Sequence, residues 1–208
     1  MSGVAHVIDE SARSEDADIW FALPPGFVPL PFRELAVAGR EPVQDTGRFA
    51  DVGPVLRLVR LLLEAGTVHC CLGLHADDEG DDGPLLSLFT LAWRRTGWAP
   101  RSVLAARAAA GAERPEHIET LDLPAGPASL VQTRLTAPPD LGLGVPCELV
   151  QLTVYVPCPD GERIAILSLS TTTVRRAKHY RALLSDIAGT VSFESPFPEK
   201  SDDVSEKD

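Results

Sequence analysis

The stretch from Glu148 to Phe193 constrains the fold most, because it reads in order as strand, Pro-Asp-Gly turn, strand, amphipathic helix and a short extended piece. Val150, Leu152, Val154 and Val156 alternate with Gln151, Thr153 and Tyr155, the period of a strand with one buried face and one more polar face. The following strand, Ile164 to Ser170 (IAILSLS), is largely apolar on both faces. Such a strand is central and covered on both sides, which in this chain calls for helices on each face of the sheet. The last helix, about Val174 to Ala188, puts Ala177, Tyr180, Leu184 and Ile187 on one side and Arg175, His179 and Asp186 on the other.

The rest of the chain supplies partners for this unit. Ile19 to Phe32 (IWFALPPGFVPLPF) is apolar and broken by four prolines, so it yields a short strand and a covering segment but no helix. Between Pro54 and Ala65 the apolar residues Val55, Leu56, Val59, Leu62 and Leu63 recur at helical spacing, with Gly66 as a stop. Thr67 to His75 and Leu85 to Trp93 read as strands of a hairpin joined by an acidic, glycine-containing loop. Pro100 to Ala110 is an alanine-rich helix closed by Gly111 and Pro115. Strands follow at Ile118 to Leu123, Ser129 to Thr136, Leu149 to Val156 and Ile164 to Ser170, with short turn-rich links that imply a largely antiparallel sheet. The expected fold is therefore α/β of the α+β type: about six to seven strands with helices on both faces, a single α/β/α sandwich.

At 208 residues, 44% hydrophobic and 24% charged, the chain suits one domain with a sizeable core. The net charge of -11 is unevenly placed: residues 1–18 carry -4, residues 199–208 carry -3 and the loop Asp77 to Asp82 carries -5, leaving +1 for the body. Residues 1–18 and 196–208 read as disordered acidic tails around a domain spanning 19–195. A nearly neutral body disfavours nucleic acid as a partner, since phosphate binding needs a concentrated basic face. No apolar run spans a bilayer and the first 18 residues lack the pattern of a secretory signal, so the expected location is cytoplasmic. Cys70, Cys71, Cys147 and Cys158 fit neither a zinc spacing nor a disulfide framework, and read as reduced thiols.

The order strand, helix, two strands, helix, four strands, helix resembles the α/β/α sandwich of PsbP-type photosystem proteins, Mog-type Ran-binding proteins and related bacterial proteins. The opening FALPPGFVPLP and the closing RIAILSLSTTTVRRAKHYRALLSDIAGTVSF carry the resemblance. It implies a non-catalytic role exercised through protein contacts, without assigning partner-binding residues. Few lysines beside many Arg, Ala, Leu and Gly resemble a high-GC, actinobacterial proteome, and the expected role is an accessory factor of a bacterial secretion or assembly system.

Chemistry is sparse along the chain. His69, Cys71 and His75 share a strand face, but His69 and His75 stand roughly 20 Å apart at about 3.3 Å per residue and cannot hold one ion together. His69 and Cys71, roughly 7 Å apart by the same rise, leave a pair that needs a third group; the competing reading is a small enzyme on the polar sheet face, using His69, Cys71 or His117. The acidic loop lacks the final Glu of an EF-hand, and the chain has no GxSxG, GxxxxGK or GxGxxG. No catalytic residue, metal or cofactor is expected. Arg175, Arg176, Lys178 and Arg181 form a basic patch on the last helix, the candidate docking site for an acidic protein partner. A third reading is a structural subunit of a homo-oligomer.

Overall fold

The computed structural model describes residues 19–30, 60–75, 85–137 and 147–195. Both tails, the acidic loop and the first part of the helix expected from Pro54 lie outside them. Among the described residues seven strands form one sheet: β1 (Phe27–Pro29), β2 (Thr67–His75), β3 (Leu85–Arg95), β4 (Pro115–Leu123), β5 (Gly126–Ala137), β6 (Cys147–Pro157) and β7 (Arg163–Thr171). Their spatial order is β1-β2-β3-β7-β6-β5-β4, and every neighbouring pair is antiparallel. Residues 60–64 are helical; α1 (Arg101–Ala110) links β3 to β4, and α2 (Ala177–Gly189) follows β7 through a 3-10 turn, Val174–Arg176.

The apolar strand β7 is the fourth of seven, paired with β3 on one side and β6 on the other. Ala165, Leu167 and Leu169 are fully buried in the main core with Val150, Leu152 and Val154 of β6 and Phe89 of β3. Tyr180, Leu184 and Ile187 of α2 complete that cluster. Ile164 and Ile166, which alternate with these residues along β7, belong to a different cluster with Leu104 and Ala108 of α1 and Tyr155 of β6. The amphipathic pattern of α2 is met by its buried residues, although its first expected turn is the 3-10 turn and regular helix starts at Ala177.

Several strands extend past their expected limits. β4 starts at Pro115 instead of Ile118; it is an edge strand, where a proline at the first position forfeits no ladder bond. The proline-rich opening splits in two. Ile19, Phe21 and Leu23 are buried in the main core, and Trp20 exchanges two backbone hydrogen bonds of 2.8 and 2.9 Å with Ser192 beyond α2. β1 then adds three residues to the edge of β2.

Two glycines permit close approaches that fix α1. Arg101 in its first turn donates from Nε and Nη2 to Pro157 O at 3.0 and 2.9 Å, and from Nη2 to Ala125 O. Gly126, at φ +114°, leaves room for that guanidinium, which a Cβ would approach to 2.5 Å. Gly161, at φ +70°, turns the chain between β6 and β7. In this turn Asp160 accepts from the backbone of Glu162 and Arg163 at 2.8 and 3.1 Å, and from Arg163 Nε at 2.7 Å.

Two outcomes test this arrangement. Leu167→Ala, at the fully buried centre of β7, is expected to lower stability by about 3 kcal/mol in urea unfolding. Burial pushes the Asp160 carboxyl up, but hydrogen bonds from Glu162, Arg163 and the Cys158 thiol outweigh it and hold the pKa at about 2. The folded value is depressed from the ordinary 3.8, so the contribution of Asp160 is complete above about pH 4 and lost as pH falls towards 2. Asp160→Asn should flatten the loss of thermal stability across that window.

Candidate functional site

The expected basic patch lies where β7 gives way to α2. Arg175 and Lys178 are exposed and Arg176 is half-buried. No acidic residue stands in the first turn of α2, so cations gather at a helix end whose dipole is itself positive. Arg181 lies one turn further on and belongs to a different environment. Its Nη2 donates to Gln132 Oε1 at 2.6 Å, while its Nε is buried without a hydrogen-bond partner.

Gln132 carries the contact onward. Its Nε2 donates to Glu116 Oε2 at 2.9 Å, and Glu116 Oε1 accepts from Arg134 Nε at 2.7 Å. Arg134 also pairs with Glu148 at 3.7 Å. The hydrogen bond from Gln132 and the Arg134 guanidinium hold the Glu116 carboxyl below its ordinary range. This network ties α2 to β5, β4 and β6, so Arg181 braces the helix on the sheet. The sequence signal for it is Gln132 itself, a polar residue in the inward series Ala128, Leu130, Gln132 of β5.

The thiol and imidazole candidates fall apart into separate places. His69 Nε2 and Cys71 Sγ are 3.0 Å apart, closer than their backbone spacing of roughly 7 Å. Cys71 is fully buried, and the rings of Phe21 and Phe89 lie 5.3 and 6.4 Å from that of His69. His117 lies on β4 with Nε2 at 3.4 Å from Glu119 Oε2. Five strand spacings separate β2 from β4, roughly 24 Å at about 4.8 Å each, so His117 does not join His69 and Cys71. His75 packs against Phe27 with centroids 5.0 Å apart. Burial, and then the nearby His179, push its pKa down from the ordinary histidine value. Its Nε2 and the Ser87 Oγ are both buried without a partner, and Gly73 lies between them: a Cβ there would stand 2.3 Å from Ser87 Oγ and 3.1 Å from His75 Nε2.

All four cysteines are free thiols, and burial raises the Cys70 pKa to about 11. Among the described residues no group of His, Cys, Asp and Glu is arranged to hold a metal ion, and no helix is long and apolar enough to cross a membrane.

A continuous apolar surface has a stronger claim to function than these groups. On the face of β1 to β3 opposite Cys71, Val28 stands beside Leu72, Leu72 beside Leu88, and Leu74 beside Leu86. Val28, Leu74 and Leu86 are 52%, 43% and 47% exposed. Leu62, Leu72's neighbour Leu88 and Leu30 gather around the buried Cys70 on this side, and Leu61 of the adjoining helical residues is 54% exposed.

The buried setting of Cys71 is tested by thiol labelling of the native protein with an aromatic disulfide. Cys147, the half-buried thiol, should react first; Cys70, Cys71 and Cys158 should react only at the rate of unfolding. Rapid modification at Cys71 would revive thiol chemistry at the His69 pair. No model of a known protein family matches the chain, and the search of curated proteins finds no match to it.

Proposed function

We propose that the chain is a non-catalytic protein-binding factor built on an α/β/α sandwich, similar to the PsbP-type and Mog-type proteins. The support for three layers is the alternation along β7, with Ile164 and Ile166 towards α1 and Ala165, Leu167 and Leu169 towards α2. The observation that carries the binding role is the apolar face of β1 to β3. Isolated exposed aliphatic residues are ordinary, but Val28, Leu74 and Leu86 are joined through Leu72 and Leu88 into one surface. A partner protein that covers it removes this surface from water. The cations Arg175, Arg176 and Lys178 offer a second contact of opposite chemistry, suited to an acidic segment of the partner. The setting we infer is cytoplasmic, in an actinobacterial secretion or assembly system.

Pull-down with the tagged full chain from its native host, with identification of bound proteins, tests this reading. A stoichiometric partner is expected, and Leu74→Glu with Leu86→Glu should reduce its retention by tenfold or more, since a charge would be buried in an apolar contact. The two side chains are 43% and 47% exposed and stand directly opposite each other, so the paired carboxylates cost some stability, and the melting temperature is measured beside retention to confirm that the double variant is folded. Retention unchanged in the double variant would remove the apolar face as the docking site. A single large species in light scattering, dispersed by the same pair, would instead make the chain a subunit of a homo-oligomer.

A further inference from the structure

At the other end of β3 from the apolar face, the chain leaves the sheet and walls a cleft of about 340 Å³ against α1. Its floor is Leu104 and Ile164, which belong to the buried cluster beneath α1. Arg94 and Arg107 line its sides, with no carboxylate among the lining residues. Arg94 stands directly opposite Ile164 in the β3-β7 register, and so shares the face that forms the floor. Neither guanidinium makes a hydrogen bond or ion pair among the described residues. Trp98 at the rim is 71% exposed, the most exposed of the large apolar side chains among the described residues.

The walls are held in place by backbone contacts. Thr96 N donates to Glu162 O at 2.7 Å and Ala99 N to Gly161 O at 3.1 Å, pinning residues 96–99 to the turn braced by Asp160. The absence of a side chain at Gly161 admits Trp98, whose indole nitrogen would lie 3.1 Å from a Cβ there. Thr96, in the cleft wall, keeps a buried hydroxyl oxygen with no hydrogen-bond partner. The cleft therefore exists before any ligand arrives and retains unused polar capacity.

We propose that this cleft binds a carboxylate joined to a compact apolar group. Two guanidiniums on an apolar floor favour a single negative charge with an apolar body: the carboxylate takes the planar donor forks, and the body lies on Leu104 and Ile164 beneath the Trp98 indole. The volume is near the lower end of small-ligand sites, roughly 300 to 1,000 Å³, which limits the body to about one ring or a short branched chain. Two cations with no acid among the residues lining the cleft give it a local positive potential that attracts such an anion. This chemistry belongs both to free monocarboxylic acids and to the C-terminus of a peptide ending in an apolar residue. The proposal stands independently of the apolar face of β1 to β3.

Ligand-observed NMR and calorimetry on the full chain test it, using phenylacetate, 4-phenylbutyrate, indole-3-acetate and octanoate beside their amides, and Ala-Ala-Phe with a free or amidated C-terminus. The expected result is binding of acids but not of amides. Arg94→Gln and Arg107→Gln should each weaken binding roughly tenfold, and Trp98→Ala by several-fold, on exposed side chains whose loss leaves the fold intact. Tighter binding of the free acids assigns the site to small molecules; tighter binding of the peptide acid assigns it to a chain terminus. Failure of every acid to bind, equal binding of the amides, or full affinity in the Arg94→Gln, Arg107→Gln double variant would overturn the proposal.

Discussion

The whole sheet depends on the pairing of β7 with both β3 and β6. Remove that strand and two separate ribbons remain, β1-β2-β3 and β6-β5-β4, with no ladder between them. Its position satisfies backbone donors and acceptors along both edges, and this permits a strand with apolar side chains on both faces. The chain reaches this arrangement late in its course. In chain order the second ribbon, β4 to β6, comes between β3 and β7, and β7 lies between the two ribbons, with α2 next along the chain. The core is consequently centred on residues from the last third, Leu167, Leu169, Tyr180 and Leu184, to which the earlier strands contribute Phe89 and Leu130.

Local pattern explains how much of this is legible before any coordinates. The alternation in Val150 to Val156, the Pro-Asp-Gly turn and the apolar β7 identify consecutive elements because each signal lies within a dozen residues. They also place β7 centrally, since no edge strand is apolar on both sides. The neighbour on its far side is another matter: the partners of β7 on β3 lie about 70 to 80 residues earlier, beyond the reach of any local pattern. The start of β4 was hidden for a related reason. Pro115 to Leu123 is an edge strand with most of its side chains in water, so no hydrophobic rhythm marks its first residues. The proline-rich opening reads correctly as a short strand plus a covering segment, but its bonds to Ser192 require the far end of the chain.

Site residues were less legible because their chemistry depends on what surrounds them. Arg175, Arg176, Lys178 and Arg181 look alike in sequence. In the fold, Gln132 holds Arg181 through a hydrogen bond of 2.6 Å, so that residue braces the helix against the sheet, whereas the side chains of Arg175 and Lys178 are exposed. The His69 and Cys71 contact shows the opposite shift. A backbone separation that leaves a pair merely possible becomes a contact of 3.0 Å, yet complete burial of the sulfur puts it out of reach of a substrate. Proximity without access favours a packing role. The convergence of Arg94 and Arg107 has no local signature at all, since one stands at the end of a strand and the other in the helix that follows.

β3 connects the two surfaces proposed to bind other molecules. Leu86 near its start and Arg94 near its end are separated by eight residues of extended chain, roughly 26 Å at about 3.3 Å per residue, and even spacing places them on one face. At that distance substitutions in the apolar face and in the arginine cleft should act independently unless the strand itself moves. β3 has little freedom to do so. It is held by β2 on one side and β7 on the other, and Phe89 and Leu91 anchor its opposite face in the core. Coupling between partner and ligand would therefore have to pass through the segments that follow β3, residues 96–99 and α1, which touch the cleft but pair with neither strand neighbour. The sheet keeps the two surfaces apart, and residues 96–99, pinned to the β6–β7 turn, together with α1, tied down by Arg101, hold the cleft wall as firmly as the strand beside it.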